Sequence, residues 1–160
     1  MNAFTRSALT GVALLLTASA ALAQAPQYGP IVTLEQARKA VAAAEAEARK
    51  NNWPVAVAVV DTAGTLVAYE MLDGTQTASA RIAEQKAVSA AIYRRPTKVF
   101  QDVLAKGGDG WRVLHLDRAI AVDGGLPIVS GGKIIGAIGV SGVAPHEDAV
   151  AAKAGADALK

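Results

Sequence analysis

Apolar residues recur along this chain with two different periods, and the switches between them mark out its elements. Thr33-Leu34-Glu35-Gln36 forms a capping box, and Leu34, Ala37, Val41, Ala44 and Ala48 then fall on one helical face. This predicts a first helix ending by Asn51-Asn52, because Pro54 disfavours helical backbone at Trp53. Val55 to Val60 is unbroken apolar sequence and Leu66 to Leu72 is nearly so, with a turn at Asp61-Thr62-Ala63-Gly64 between them. The pair reads as a β-hairpin. A Val/Ala run with no polar alternation predicts a strand buried on both faces.

Asp73-Gly74 breaks that second strand, and Ala78 to Tyr93 follows as a helix whose spacing groups Ile82, Ala83, Lys86, Ala87, Ala90 and Ala91. Its alanines allow a neighbour to approach closely. Arg94-Arg95-Pro96 ends it, Thr97 is placed to cap a shorter helix to about Ala105, and Lys106 to Gly110 is a glycine-rich loop. Val113–Leu116, Ala119–Asp123, Leu126–Ser130 and Lys133–Val140 read as extended segments, the first very short. Val143 to Glu147 is a loop and Asp148 to Leu159 a closing helix. The order is α-ββ-α-α-βββ-α, which predicts an α+β fold: an antiparallel sheet flanked by helices. No internal repeat or second domain is visible.

Glycine is concentrated in the last third, at Gly124-Gly125, Gly131-Gly132, Gly136, Gly139 and Gly142. Glycine inside a strand weakens it and marks close approach of backbone or ligand. The run therefore predicts either a wall against which something flat lies or a sheet packed tightly on helices.

Composition narrows the picture. The 160 residues carry a net charge of +2 and no cysteine. Disulfides, thiolate metal sites and a cysteine nucleophile are excluded, and the near-neutral balance leaves no electrostatic footprint for nucleic acid. Residues 1–23 have the form of a secretory signal peptide, with Arg6 as the sole charge, an apolar run from Ala8 to Leu16, and Ala21-Leu22-Ala23 at the cleavage site. Export to the periplasm or medium is the expectation, with residues 24–32 a flexible arm and 33–160 a single domain.

Chemistry-bearing residues are few. His115 lies in Trp111-Arg112-Val113-Leu114-His115-Leu116, where an imidazole could ligate a metal or haem iron, or serve as a hydrogen-bonded structural group. His146 precedes Glu147-Asp148 at a helix start, and helix entry accounts for that neighbourhood. Glu70, Asp73 and Glu84 would form an acidic site only if the fold gathers them, and otherwise are solvated charges. Lys86, inside an alanine-rich face, would meet either a ligand carboxylate or an acid such as Asp61 or Asp73. Ser141 has no base nearby in sequence, and no zincin, nucleophile-elbow or dinucleotide motif is present, so no catalytic residue is assigned.

Taken in order, Val59-Val60-Asp61-Thr62-Ala63-Gly64, Met71-Leu72-Asp73-Gly74, Ala83-Glu84-Gln85-Lys86-Ala87, Gly124-Gly125-Leu126-Pro127-Ile128 and Ile135-Gly136-Ala137-Ile138-Gly139-Val140-Ser141-Gly142 form a series. It resembles the signatures of the GlcG/HbpS-like haem-binding family, related to the C-terminal domain of PduO-type proteins, over about Leu34 to Ala156. The chain departs from the pattern at Glu70-Met71-Leu72-Asp73, where Arg-Met-Asp is more typical, so a group that could grip a ligand carboxylate there is lost.

The resemblance implies a homo-oligomer, often an octamer, that binds haem for storage, delivery or sensing beside a membrane-associated partner. On that reading His115 is the first candidate iron ligand, with Met71 and Tyr93 behind it. Arg112, Lys86 or Arg94 would meet the propionates, and Gly136 and Gly139 would form the wall. Two alternatives stand beside it: an accessory factor or enzyme acting on a small organic acid or a corrinoid (cobalamin then being the cofactor), and a structural oligomer subunit.

Overall fold

The computed structural model describes residues 25–160. The signal-peptide reading falls on residues outside that range. The elements are α1 (Leu34–Lys50), β1 (Ala56–Val60), β2 (Leu66–Met71), α2 (Thr77–Tyr93), α3 (Lys98–Ala105), a 3-10 helix (Gly108–His115), β3 (Gly125–Ser130), β4 (Lys133–Ser141) and α4 (Pro145–Asp157). The four strands form one antiparallel sheet in the order β2-β1-β4-β3. It is the expected α+β architecture.

β1 explains how three layers assemble. Its side chains alternate, so Val57 and Val59 face a core built with Ala40, Val41 and Ala44 of α1 and Ala151 and Ala152 of α4. Ala56, Ala58 and Val60 face the opposite way, against Ala83, Ala87, Ala90 and Ala91 of α2. Every β1 residue is fully buried, as its unbroken apolar sequence predicts. Burying each valine contributes on the order of 1.5–3 kcal/mol, whereas the small-residue face supplies proximity instead.

That proximity explains the glycines. Ala58, Gly139 and Gly125 pair across β1, β4 and β3, making a row of minimal side chains beneath α2. A Cβ on Gly139 would stand 2.1 Å from the Ala83 carbonyl oxygen, and one on Gly125 2.4 Å from that of Lys86. Both oxygens belong to the helix backbone and cannot yield. Gly136 lies on the other face, where a Cβ would meet the Val60 carbonyl oxygen at 2.4 Å and Val32 at 3.1 Å. Glycines three apart in a strand point to opposite faces, so Gly136 and Gly139 do not make a common wall for a flat ligand. They are covered by the chain's own backbone, the tight-packing alternative.

The region between α3 and β3 departs from the sequence expectation. Val113–Leu116 is not a strand: Val113 and His115 are in the 3-10 helix. Gly107 and Gly108, both at positive φ, admit the tight entry, and a Cβ on Gly110 would meet the Val103 carbonyl oxygen at 2.0 Å. Ala119–Asp123 joins no strand either: Ala119 N–H turns back to the Leu116 carbonyl (3.2 Å), Ile120 N–H donates to Ser89 Oγ (3.2 Å) and Asp123 N–H to Gln101 Oε1 (2.9 Å). Thr97 does not cap α3 with its hydroxyl. That oxygen accepts from Gly125 N–H (3.0 Å), while Thr97 N–H donates to the Gly125 carbonyl (3.0 Å), fastening β3 to the start of α3.

The lead read as an arm runs beside β4. Gly29 N–H donates to Ile134 O (2.8 Å) and Val32 N–H to Ile135 O (2.7 Å). α1 begins with the predicted capping box at Thr33 and Gln36. No helix among the described residues is long and apolar enough to cross a membrane.

Candidate functional site

Two places in the fold gather the residues singled out from sequence, and they differ in character. The first is internal. Lys86, on the sheet-facing side of α2, is 1% exposed and donates from Nζ to Asp148 Oδ2 (2.8 Å) and to the Val140 carbonyl (2.9 Å). Asp148, in the first turn of α4, also accepts from Val143 N–H on Oδ1 (3.1 Å). Lys86 therefore pairs with an acid, but with Asp148 rather than Asp61 or Asp73. Burial pulls the lysine below its ordinary pKa, opposed by Asp148, and the same burial pushes the Asp148 carboxyl up against the pull of Lys86. The ion pair joins α2, β4 and α4, and leaves no ammonium to meet a propionate.

The second place is the 3-10 helix. With three residues per turn, side chains at i and i+3 stack above one another. Gly110 and Val113 form the buried stripe, Trp111 and Leu114 the next, and Arg112 and His115 the third. Trp111 is 64% and Leu114 68% exposed, and Leu116 continues the apolar surface. An imidazole and a guanidinium thus stand together beside an exposed apolar face. His115 makes no side-chain hydrogen bond among the described residues, while Arg112 Nη1 donates to the Asp109 carbonyl (3.0 Å). Tyr93, packed edge-on against Phe100 (5.1 Å between centroids), donates its hydroxyl to the Asp117 carbonyl (2.7 Å), two residues beyond His115.

Of the sequence candidates, His115 and Arg112 come together on this helix, with Tyr93 tied to the segment that follows it. Met71 lies elsewhere, exposed at the end of the edge strand β2. Arg94 ends α2 in the left-handed region at φ 54°, its guanidinium 5.6 Å from the centre of the Tyr28 ring. Glu70, Asp73 and Glu84 are not gathered into one site. Glu84 lines a cavity beside α2 and Asp73 flanks Asn52 and Pro54. Glu70 neighbours Glu45, whose carboxyl is raised by burial first and by Glu70 second. That Glu45–Glu70 approach has no sequence signal, because the residues belong to elements that only the sheet brings together. Asp61 is a turn residue, accepting from Ala63 and Thr65 N–H (2.8 and 2.9 Å). No cluster of three or more His, Cys, Asp or Glu side chains suited to a metal ion occurs among the described residues.

A family model described as "Haem degrading protein HbpS-like" matches residues 32–157. The Escherichia coli (strain K12) protein GlcG is 39% identical over 111 residues, which are 69% of this chain and 81% of GlcG. Among solved structures, HbpS superposes with a TM-score of 0.75 at 32% identity, over 84% of this chain and 94% of HbpS. The Klebsiella pneumoniae protein ORFY superposes with a TM-score of 0.77 at 28% identity, over 86% of this chain and 97% of ORFY.

Proposed function

This chain belongs to the HbpS-like family, and from that membership we propose that it is an exported haem-binding protein that holds haem on the exposed face of its 3-10 helix. One observation carries the reading: Trp111 and Leu114, both mostly exposed, stand beside a stripe bearing His115 and Arg112. A monomer gains nothing by presenting Trp and Leu to water, so an exposed apolar face edged by polar groups supports a binding role. The donor set suits haem. His115 would hold the iron through a ring nitrogen that no other group occupies, Arg112 would meet a propionate, and Trp111 and Leu114 would cover the apolar ring. Bound haem would supply a redox-active iron.

Export rests on the leader at residues 1–23 and would place this activity in the periplasm or medium. Self-association belongs to the same reading, with an octamer as its expected form. It is supported by Leu66, Tyr69 and Met71, which lie exposed along the edge strand β2.

A haem titration followed at the Soret band tests the assignment. The purified protein should give a saturable shift, His115→Ala should abolish it, and Arg112→Ala should weaken it. A shift unchanged in His115→Ala would move the iron ligand to Tyr93 or Met71, and the absence of any saturable shift would overturn haem binding.

A further inference from the structure

Beside the outer face of α2 lies a cavity of ≈ 330 Å³ that none of the haem-directed residues enters. Arg81, Glu84, Gln85 and Val88 line it from the helix, and Arg118 and Ile120 from the segment that follows the 3-10 helix. Among the described residues, Arg81, Glu84, Gln85 and Arg118 make no side-chain hydrogen bond or ion pair. Two arginines thus line one concave space, and no carboxylate, Glu84 of the same lining included, stands within ion-pair distance of either.

The wall carrying Arg118 is held in place. Its backbone lies at φ 58°, a left-handed conformation uncommon for a side-chain-bearing residue. The flanking residues are fixed to α2, by Tyr93 to the Asp117 carbonyl and by Ser89 to Ile120 N–H. A Cβ placed on Gly64 would stand 3.2 Å from Arg118 Nη2 and 3.3 Å from Val88, so the hairpin turn after β1 also closes on this spot.

We infer that this cavity binds a small organic carboxylate, held by Arg81 of α2 and Arg118 of the segment that follows the 3-10 helix. Guanidinium matches a carboxylate with two parallel N–H donors. Val88, Ala119 and Ile120 give the carbon skeleton an apolar surface, which inorganic phosphate would not use. Glu84 and Gln85 are placed to bond a polar substituent on that skeleton.

The site is independent of the haem reading, and its test does not involve haem. Calorimetric titration of the purified protein with succinate, and separately with inorganic phosphate, should show saturable binding of succinate at millimolar concentration. Arg81→Ala should weaken it by at least about tenfold, the loss of one bidentate contact. Arg118→Gly is the companion variant, because glycine accepts the left-handed backbone without strain while the guanidinium goes with the rest of the side chain. It should fold as the parent does by circular dichroism and bind at least about tenfold more weakly. No succinate binding, binding unaltered in a folded Arg118→Gly protein, or binding of phosphate alone would each overturn the inference.

Discussion

The Lys86 pocket and the 3-10 helix place similar chemistry, a nitrogen-bearing side chain among apolar residues, in opposite circumstances. Around Lys86 every partner is present: the ammonium meets a carboxylate and a carbonyl, and the helix bearing it lies on a row of glycine and alanine. Around His115 the imidazole is unengaged, and the neighbouring Trp111 and Leu114 lie open. A satisfied buried charge is committed to the fold, whereas an unsatisfied exposed apolar patch is available to a ligand. Substitutions in the first region should therefore register as stability, and in the second as binding.

The sharpest break would come from Asp148→Ala, which leaves the Lys86 ammonium buried without its counterion. The expected loss is about 3–5 kcal/mol in urea unfolding; a change below about 1 kcal/mol, an ordinary substitution effect, would refute the commitment of this pair to the fold. The pH dependence carries a sign. Asp148→Asn removes the group that opposes burial at Lys86, so the folded lysine, already lowered by burial, falls further. The unfolded chain then binds a proton that the folded chain does not, and stability rises with pH up to the ordinary lysine value. The deficit of Asp148→Asn against the parent should accordingly shrink as pH is raised above neutrality, and a deficit that widens would count against the assignment.

Gly139→Ala comes next. Its Cβ would press on the α2 backbone, and a loss of about 1–3 kcal/mol or more is expected from overpacking. A stable Gly139→Ala protein would mean that α2 can lift from the sheet and that the glycine row has another use. Tyr93→Phe removes one hydrogen bond to the Asp117 carbonyl and should cost toward the low end of about 0.5–1.5 kcal/mol. The smallest stability effect is expected for Leu114→Gln, within about 0.5 kcal/mol of the parent. That variant should nonetheless weaken haem binding, and a matched fall in melting temperature with unchanged haem affinity would reverse the comparison.

The sequence by itself determined the elements whose physics is local. The capping box at Thr33, the two-faced burial of Val55–Val60 and the hairpin turn at Asp61 depend on neighbouring residues and stand as expected. The tertiary structure decided the rest, because it depends on contacts remote in sequence. Lys86 and Asp148 are 62 positions apart, so composition could say that a lysine on an alanine face needs an acid but not which one. The glycines of β4 announced a close approach without naming the approaching body, which proved to be the chain's own α2 at Gly139 and the Val60 carbonyl and Val32 at Gly136. Val113–Leu116 carried a strand-like pattern, yet the glycines before it and the nearby α3 wound it into a 3-10 helix. That winding is what sets His115 above Arg112, since a three-residue turn stacks side chains three apart whereas a strand would turn them to opposite faces.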